Sequence, residues 1–158
     1  ARRGPARHPG GAPGLNQRPV PAAAATRYLH AVHAIDPLIA VVDDESPMRT
    51  MLGRVLRLAD YRVSSFASGE EFLASLDTQR PACVILDIHM PGLSGFEVQM
   101  RMQAADIRVP VVFITASDDA ALARMAAEAK ASCLLRKPFS SDELLEAIRR
   151  HGSDLTKG

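Results

Sequence analysis

The chain has 158 residues, 47% of them hydrophobic and 23% charged, enough for one ordinary domain with its own core and too few for two comfortable ones. No apolar run reaches the roughly 18 residues that a membrane helix needs. The formal net charge of +1 divides unevenly: residues 1–37 hold five arginines against the single acid Asp36, while residues 38–158 hold 14 bases against 17 acids, so the folded part lacks the basic face that direct nucleic-acid binding requires.

Residues 1–37 are mostly Ala, Pro, Gly and Arg, with too few large apolar side chains to offset the entropy of ordering. They are expected to form a disordered basic arm or linker, with a short helical turn around residues 22–34 at most. Prolines and a late arginine interrupt the stretch, so it does not read as a signal peptide. His8, His30 and His33 fall in it without further ligands nearby and read as solvated. The chain opens on Ala1 rather than Met, which leaves three readings open: a fragment joined to something longer through the arm, a processed chain, or a domain that stands alone.

From Leu38 the texture changes. "LIAVV" 38–42 is the first short apolar run. Ser46-Pro47 then places a capping hydroxyl before a proline at the first helical position. Met48, Met51, Leu52, Val55, Leu56 and Ala59 recur at three and four, which predicts one helical stripe. "YRVSSF" 61–66 is a more weakly patterned strand, followed by a capping box pairing Ser68 with Glu71. "ACVIL" 82–86 is the third strand, and Phe96, Met100, Gln103 and Ala104 predict the buried face of the helix after it. "VPVVFI" 109–114 and "SCLL" 132–135 are the last two strands, and a second capping box, Ser140 with Glu143, starts a helix carrying Leu144, Leu145 and Ile148. Runs without alternation suit strands covered on both faces. Strand–helix alternation throughout predicts an α/β fold, a doubly wound parallel sheet with right-handed crossovers. The folded domain is placed at residues 38–151, with residues 152–158 as a flexible tail. Cys83 and Cys133 lie in apolar runs without metal-ligand spacing and read as small hydrophobes in a reduced cytoplasm.

In open sheets of this kind the ligand site lies at the carboxyl ends of the strands. Those ends carry Asp43-Asp44-Glu45, then Asp87, then Thr115-Ala116-Ser117, then Lys137-Pro138. Two unit charges about 4 Å apart repel by about 4 kcal/mol at an effective dielectric of about 20, so converging acids need a cation. A hard divalent ion resolves the repulsion, and Mg²⁺ is the usual choice beside a phosphoryl group. Lys137 then pairs with an anionic oxygen, the Thr115 hydroxyl donates to another, and Asp87 is the nucleophile. Each residue alone has a plainer reading: Asp87 as a turn cap, Asp44 as a helix N-terminal charge, Thr115 as a strand residue, Lys137 as a solvated lysine. Those readings do not explain why all four end on one sheet edge.

"VVDDES" 41–46, "ILDIHMPGLSGFE" 85–97, "VVFITAS" 111–117 and "LLRKPF" 134–139 together resemble the receiver domain of two-component response regulators, over about residues 38–150. The resemblance implies a flavodoxin-like sheet of five strands in the order 2-1-3-4-5. It makes Asp87 the phosphoacceptor, Asp43 and Asp44 the acidic pair, and the backbone carbonyl of His89 a further Mg²⁺ ligand. Thr115 matches the switch hydroxyl, Lys137 the phosphate-pairing lysine, and Lys137-Pro138 a cis bond. It implies a cytoplasmic phosphorelay switch that accepts its phosphoryl group from a histidine kinase or phosphotransfer protein. Such a domain is not an enzyme in the usual sense, although it hydrolyses its own phosphoryl group slowly. It also allows a homodimer through the face made by the fourth helix, fifth strand and fifth helix, and it implies no contact with membranes.

Three positions depart from the family pattern. Leu134 stands where many receivers have Tyr or Phe, which leaves open a receiver-like interaction module that does not switch. Lys130 replaces a glycine expected to be left-handed, and Cys133 replaces a common acid. His89 and Ser117, two residues beyond Asp87 and Thr115, flank the path of attacking water in the family, and His89 is a candidate for setting the phosphoryl lifetime. Two further rivals are weak. An aspartyl phosphatase would want an acid where His89 stands, and a flavin protein would want a phosphate-cradling loop where "DDES" stands.

Overall fold

The structure, a computed structural model, describes residues 36–152. Most of the expected arm, with its helical turn and its three histidines, lies outside those residues, as does the expected tail from Ser153. Strands and helices alternate throughout: β1 (Leu38–Val42), α1 (Ser46–Leu58), β2 (Arg62–Phe66), α2 (Gly69–Ser75), β3 (Cys83–Asp87), α3 (Gly95–Ala104), β4 (Val111–Thr115), α4 (Ala120–Glu128), β5 (Cys133–Arg136) and α5 (Ser141–Gly152). Every pairing is parallel and the strand order is β2-β1-β3-β4-β5, as the family resemblance implies.

The inner strands explain the unalternating sequence, because both of their faces are covered. Ala40, Val42, Val84, Leu86, Val111 and Phe113 share one core with Phe72 and Leu76 from the α2 region, Val98 and Met102 of α3, and Leu122 and Ala126 of α4. Ile39, Val41, Cys83, Ile85, Val112 and Ile114 turn to the other face and pack on Leu52 and Leu56 of α1 and Leu144, Ala147 and Ile148 of α5. Period-two side chains thus feed two separate cores from one set of strands. Phe72 and Phe113 are fully buried, each stabilising by roughly 1.5–3 kcal/mol relative to exposure. β2 and β5 are the sheet edges and only partly buried, which accounts for the weak patterning of "YRVSSF".

Local starts and stripes need correction at four points. The N-cap of α1 is Glu45, with no side-chain cap, so Ser46 lies inside the first turn rather than capping it. The Asp43 carboxylate has taken over that region, accepting from the Glu45 amide at 2.8 Å. Ser68 caps α2, but the Glu71 carboxylate reaches the Ala67 amide instead of closing the box. A full box forms at Ser140 and Glu143 and another, unforeseen, at Ser94 and Glu97. On α3 the buried residues are Gly95, Val98, Gln99 and Met102, while Met100 is 58% exposed and Phe96 is half-buried. The buried face is thus turned away from the expected Phe96, Met100, Gln103 and Ala104 and includes the polar Gln99. The Gln99 amide donates to the Ala129 carbonyl at the end of α4. On α1, Met51 faces outward from the predicted stripe.

Candidate metal centre

Parallel register brings distant residues to one edge. Val42 pairs with Leu86 across β1 and β3, Asp87 with Ile114 across β3 and β4, and Thr115 with Arg136 across β4 and β5. The next residue along β1 is therefore Asp43, level with Asp87, and the next along β5 is Lys137, just past Thr115. Asp43, Asp87 and Thr115 are buried, because the helices that cover the hydrophobic strands also wall in their ends. The Lys137-Pro138 peptide is cis, and the Lys137 amide donates to the Thr115 carbonyl at 2.8 Å.

Carboxylate oxygens of Asp43, Asp44 and Asp87 all lie within 4.8 Å of one another. Hard oxygen donors in that number suit a small divalent cation that keeps some of its waters, so the residues present fit a bound metal ion. Lys137 partly fills the same role. Its ammonium lies 3.2 Å from Asp43 Oδ2, 3.8 Å from Glu45 Oε1 and 3.9 Å from Asp87 Oδ1. Burial, reinforced by the charge of Asp43, pushes the Asp87 carboxyl up to about 6, against the opposing pull of Lys137 and a hydrogen bond from the His89 backbone. The site is electrostatically loaded: four acids surround one base, and two of the acids, Asp43 and Asp87, are buried.

The other expected residues take distinct places. The Thr115 hydroxyl accepts from the Ser117 amide at 3.1 Å, which leaves its proton free to donate. The His89 side chain is exposed on the loop after β3. Leu134 is half-buried and packs against the core that contains Phe113, its register partner. Phe96 stands edge-on to Phe113 with ring centroids 4.9 Å apart, so an aromatic pair lies beside Leu134.

Two participants escaped the sequence reading, and a third, Glu45, was placed at the strand end without a role. Glu45 joins the ion pairs of Lys137. A Cβ on Gly95 would stand 2.5 Å from the Asp87 carbonyl oxygen and 3.0 Å from Ile88 Cα. Glycine is thus what lets the start of α3 press against the strand end that carries Asp87, and the Ser94 N-cap signal preceding it could have drawn attention there. Arg49 donates to the main chain of the acidic loop, which nothing in its sequence surroundings announces.

The response regulator receiver domain profile matches residues 39–149. The chain is 35% identical over 114 residues to the C4-dicarboxylate transport transcriptional regulatory protein DctD of Rhizobium meliloti, covering 72% of this chain and 25% of that one. It is 33% identical over 119 residues to Nodulation protein W of Bradyrhizobium diazoefficiens, covering 75% and 52%. Among solved structures it is similar to the chemotaxis protein CheY4 of Vibrio cholerae, with 30% identity and a TM-score of 0.67 over 73% of this chain and 98% of that one. The chain therefore spans a quarter to about half the length of these curated relatives.

Proposed function

We propose, for a chain that belongs to the response regulator receiver domain family, that Asp87 accepts a phosphoryl group from a phosphohistidine of a histidine kinase or phosphotransfer protein. The observation that carries this reading is the meeting of Asp43, Asp44, Asp87 and Lys137 at one sheet edge. An Asp87 carboxylate oxygen attacks phosphorus, a new O–P bond forms, the P–N bond breaks, and its electron pair leaves with the imidazole. Asp43, Asp44 and Asp87, with the His89 carbonyl, are the residues that would hold Mg²⁺, whose charge offsets that of the phosphoryl oxygens when bound. Lys137 turns from Asp43 to a phosphoryl oxygen, and the Thr115 hydroxyl donates to another. Hydrolysis of the aspartyl phosphate returns the resting state, so the catalysis is the domain's own and acts only on itself.

We assign the receiver to residues 38–151, the basic arm to residues 1–37 and the short tail to residues 152–158, and place the protein in the cytoplasm. Pairing of two copies through α4, β5 and α5 belongs to the same reading. Among the described residues no helix is long and apolar enough to cross a membrane.

Leu134 favours one second reading, a domain that keeps the fold without relaying a switch, because a leucine packed against the Phe113 core cannot turn as an aromatic ring does. One experiment addresses both. Incubation with acetyl phosphate and Mg²⁺ should add one phosphoryl group, found on Asp87 by mass spectrometry and absent in Asp87→Asn. Beryllofluoride with Mg²⁺ should then move the amide resonances of Thr115 and Leu134. No label would defeat the acceptor role, and a label with unmoved resonances would favour the module.

A further inference from the structure

The acidic loop between β1 and α1 is held by a residue of the helix it precedes. Asp43 and Asp44 come before the N-cap of α1, so their carbonyls have no partner within that helix. Arg49 Nη1 donates to both, at 2.7 Å to the Asp43 oxygen and 3.0 Å to the Asp44 oxygen. Its own amide donates to the Glu45 carbonyl at 3.1 Å, which places it one turn into the helix with its side chain folded back. A cation so near a helix N-terminus opposes the helix dipole, and Arg stays charged at every accessible pH. Neither helix propensity nor helix electrostatics asks for that orientation. The loop does: two adjacent ligand-bearing residues are tied through their main chain to one guanidinium.

We infer that Arg49 is a positioning residue, which fixes the main chain of Asp43 and Asp44 so that their carboxylates face Asp87 before a divalent cation arrives. The inference rests on the reading of the site as a metal centre. Its electrostatics and its geometry make opposite predictions, and that decides the test. As a mere charge, Arg49 repels the incoming ion, so removing it would tighten binding. As a clamp it prepays the ordering of the loop, so removing it weakens binding.

Arg49→Met keeps the side-chain stem and a good helix former. Arg49→Lys keeps the charge on a side chain one bond shorter. Arg57→Met removes the same charge farther along α1. Calorimetric titration with MgCl₂ should show affinity three- to tenfold weaker in Arg49→Met, intermediate in Arg49→Lys and unchanged in Arg57→Met. Without any metal, the Glu45 amide, which donates to Asp43 Oδ1 at 2.8 Å, should exchange with solvent several-fold faster in Arg49→Met. Tighter or unaltered Mg²⁺ binding in Arg49→Met would overturn the inference, as would an equal loss in Arg57→Met or unaltered exchange at Glu45. Wild-type protein that bound no Mg²⁺ would instead overturn the metal reading of the site, and the exchange rates would still decide whether Arg49 orders the loop.

Discussion

The acceptor role proposed for Asp87 sets two opposed demands. A carboxylate attacks only when ionised, yet the strand that delivers this one lies inside the protein. Burial and the neighbouring Asp43 charge raise the Asp87 carboxyl from 3.8 to about 6, so the folded state binds the proton more tightly than the unfolded chain. The stabilising contribution is therefore complete below about pH 4 and is lost as pH rises through about 6. In the metal-free protein, urea unfolding should show stability falling between those limits. Asp87→Asn should remove that slope and be more stable than wild type at pH 7.5, on the order of 1–3 kcal/mol. An unchanged pH slope in the variant would show that Asp87 does not carry the strain. Identity of the acids was legible in the chain, because "DDE" and "D" directly follow apolar runs. Their contacts were not: Glu45 and Arg49 act through three-dimensional reach, and Gly95 through a close approach to the backbone of a residue on another element.

Three helices end in the same way. After α1, α3 and α4 the residues Asp60, Asp106 and Lys130 take φ values of 64°, 53° and 56°. Their amides donate to the carbonyls of Arg57, Gln103 and Ala127, and the amides of Tyr61, Ile107 and Ala131 donate back to Leu56, Met102 and Ala126. Each is a Schellman close, with an apolar residue after the left-handed one folded back on the last turn. Glycine is the residue this position favours, and Asp tolerates it better than Lys. Lys130→Gly should accordingly stabilise the domain by up to about 1 kcal/mol, and Asp60→Gly by less, both read from the midpoint of chemical unfolding. A loss of stability in Lys130→Gly would mean that the lysine side chain contributes something its backbone strain conceals. Periodicity made α1, α3 and α5 legible, α4 was inferred from the alternation alone, and Lys130 stood out because a glycine was expected there. The ends after Asp60 and Asp106 were not, since an apolar residue past a non-glycine stop looks like more of the same helix. The α3 stripe failed for a related reason: Gln99 is polar by type but buried by its bond to Ala129.

Across the whole molecule, the parallel sheet turns separations of dozens of residues into contacts of a few ångströms. A cation held as proposed between the ends of β1 and β3 would bind only the folded chain. Mg²⁺ at ten times its dissociation constant should therefore stabilise by about 1.4 kcal/mol, reversed by EDTA and absent in Asp43→Asn. An equal gain in that variant would place the ion elsewhere. The chain by itself determined the alternation of elements, the burial of β1, β3 and β4 and which polar residues close the four strand ends, because period, hydrophobicity and order are properties of neighbours in sequence. Only the tertiary structure decided that Lys137 rests on Asp43 rather than in solvent, that Arg49 grips the loop ahead of its own helix, and that Leu134 packs against the core around the Phe96–Phe113 pair. Those outcomes depend on side-chain reach across parallel register, and no local pattern encodes distance between elements that are remote in the chain.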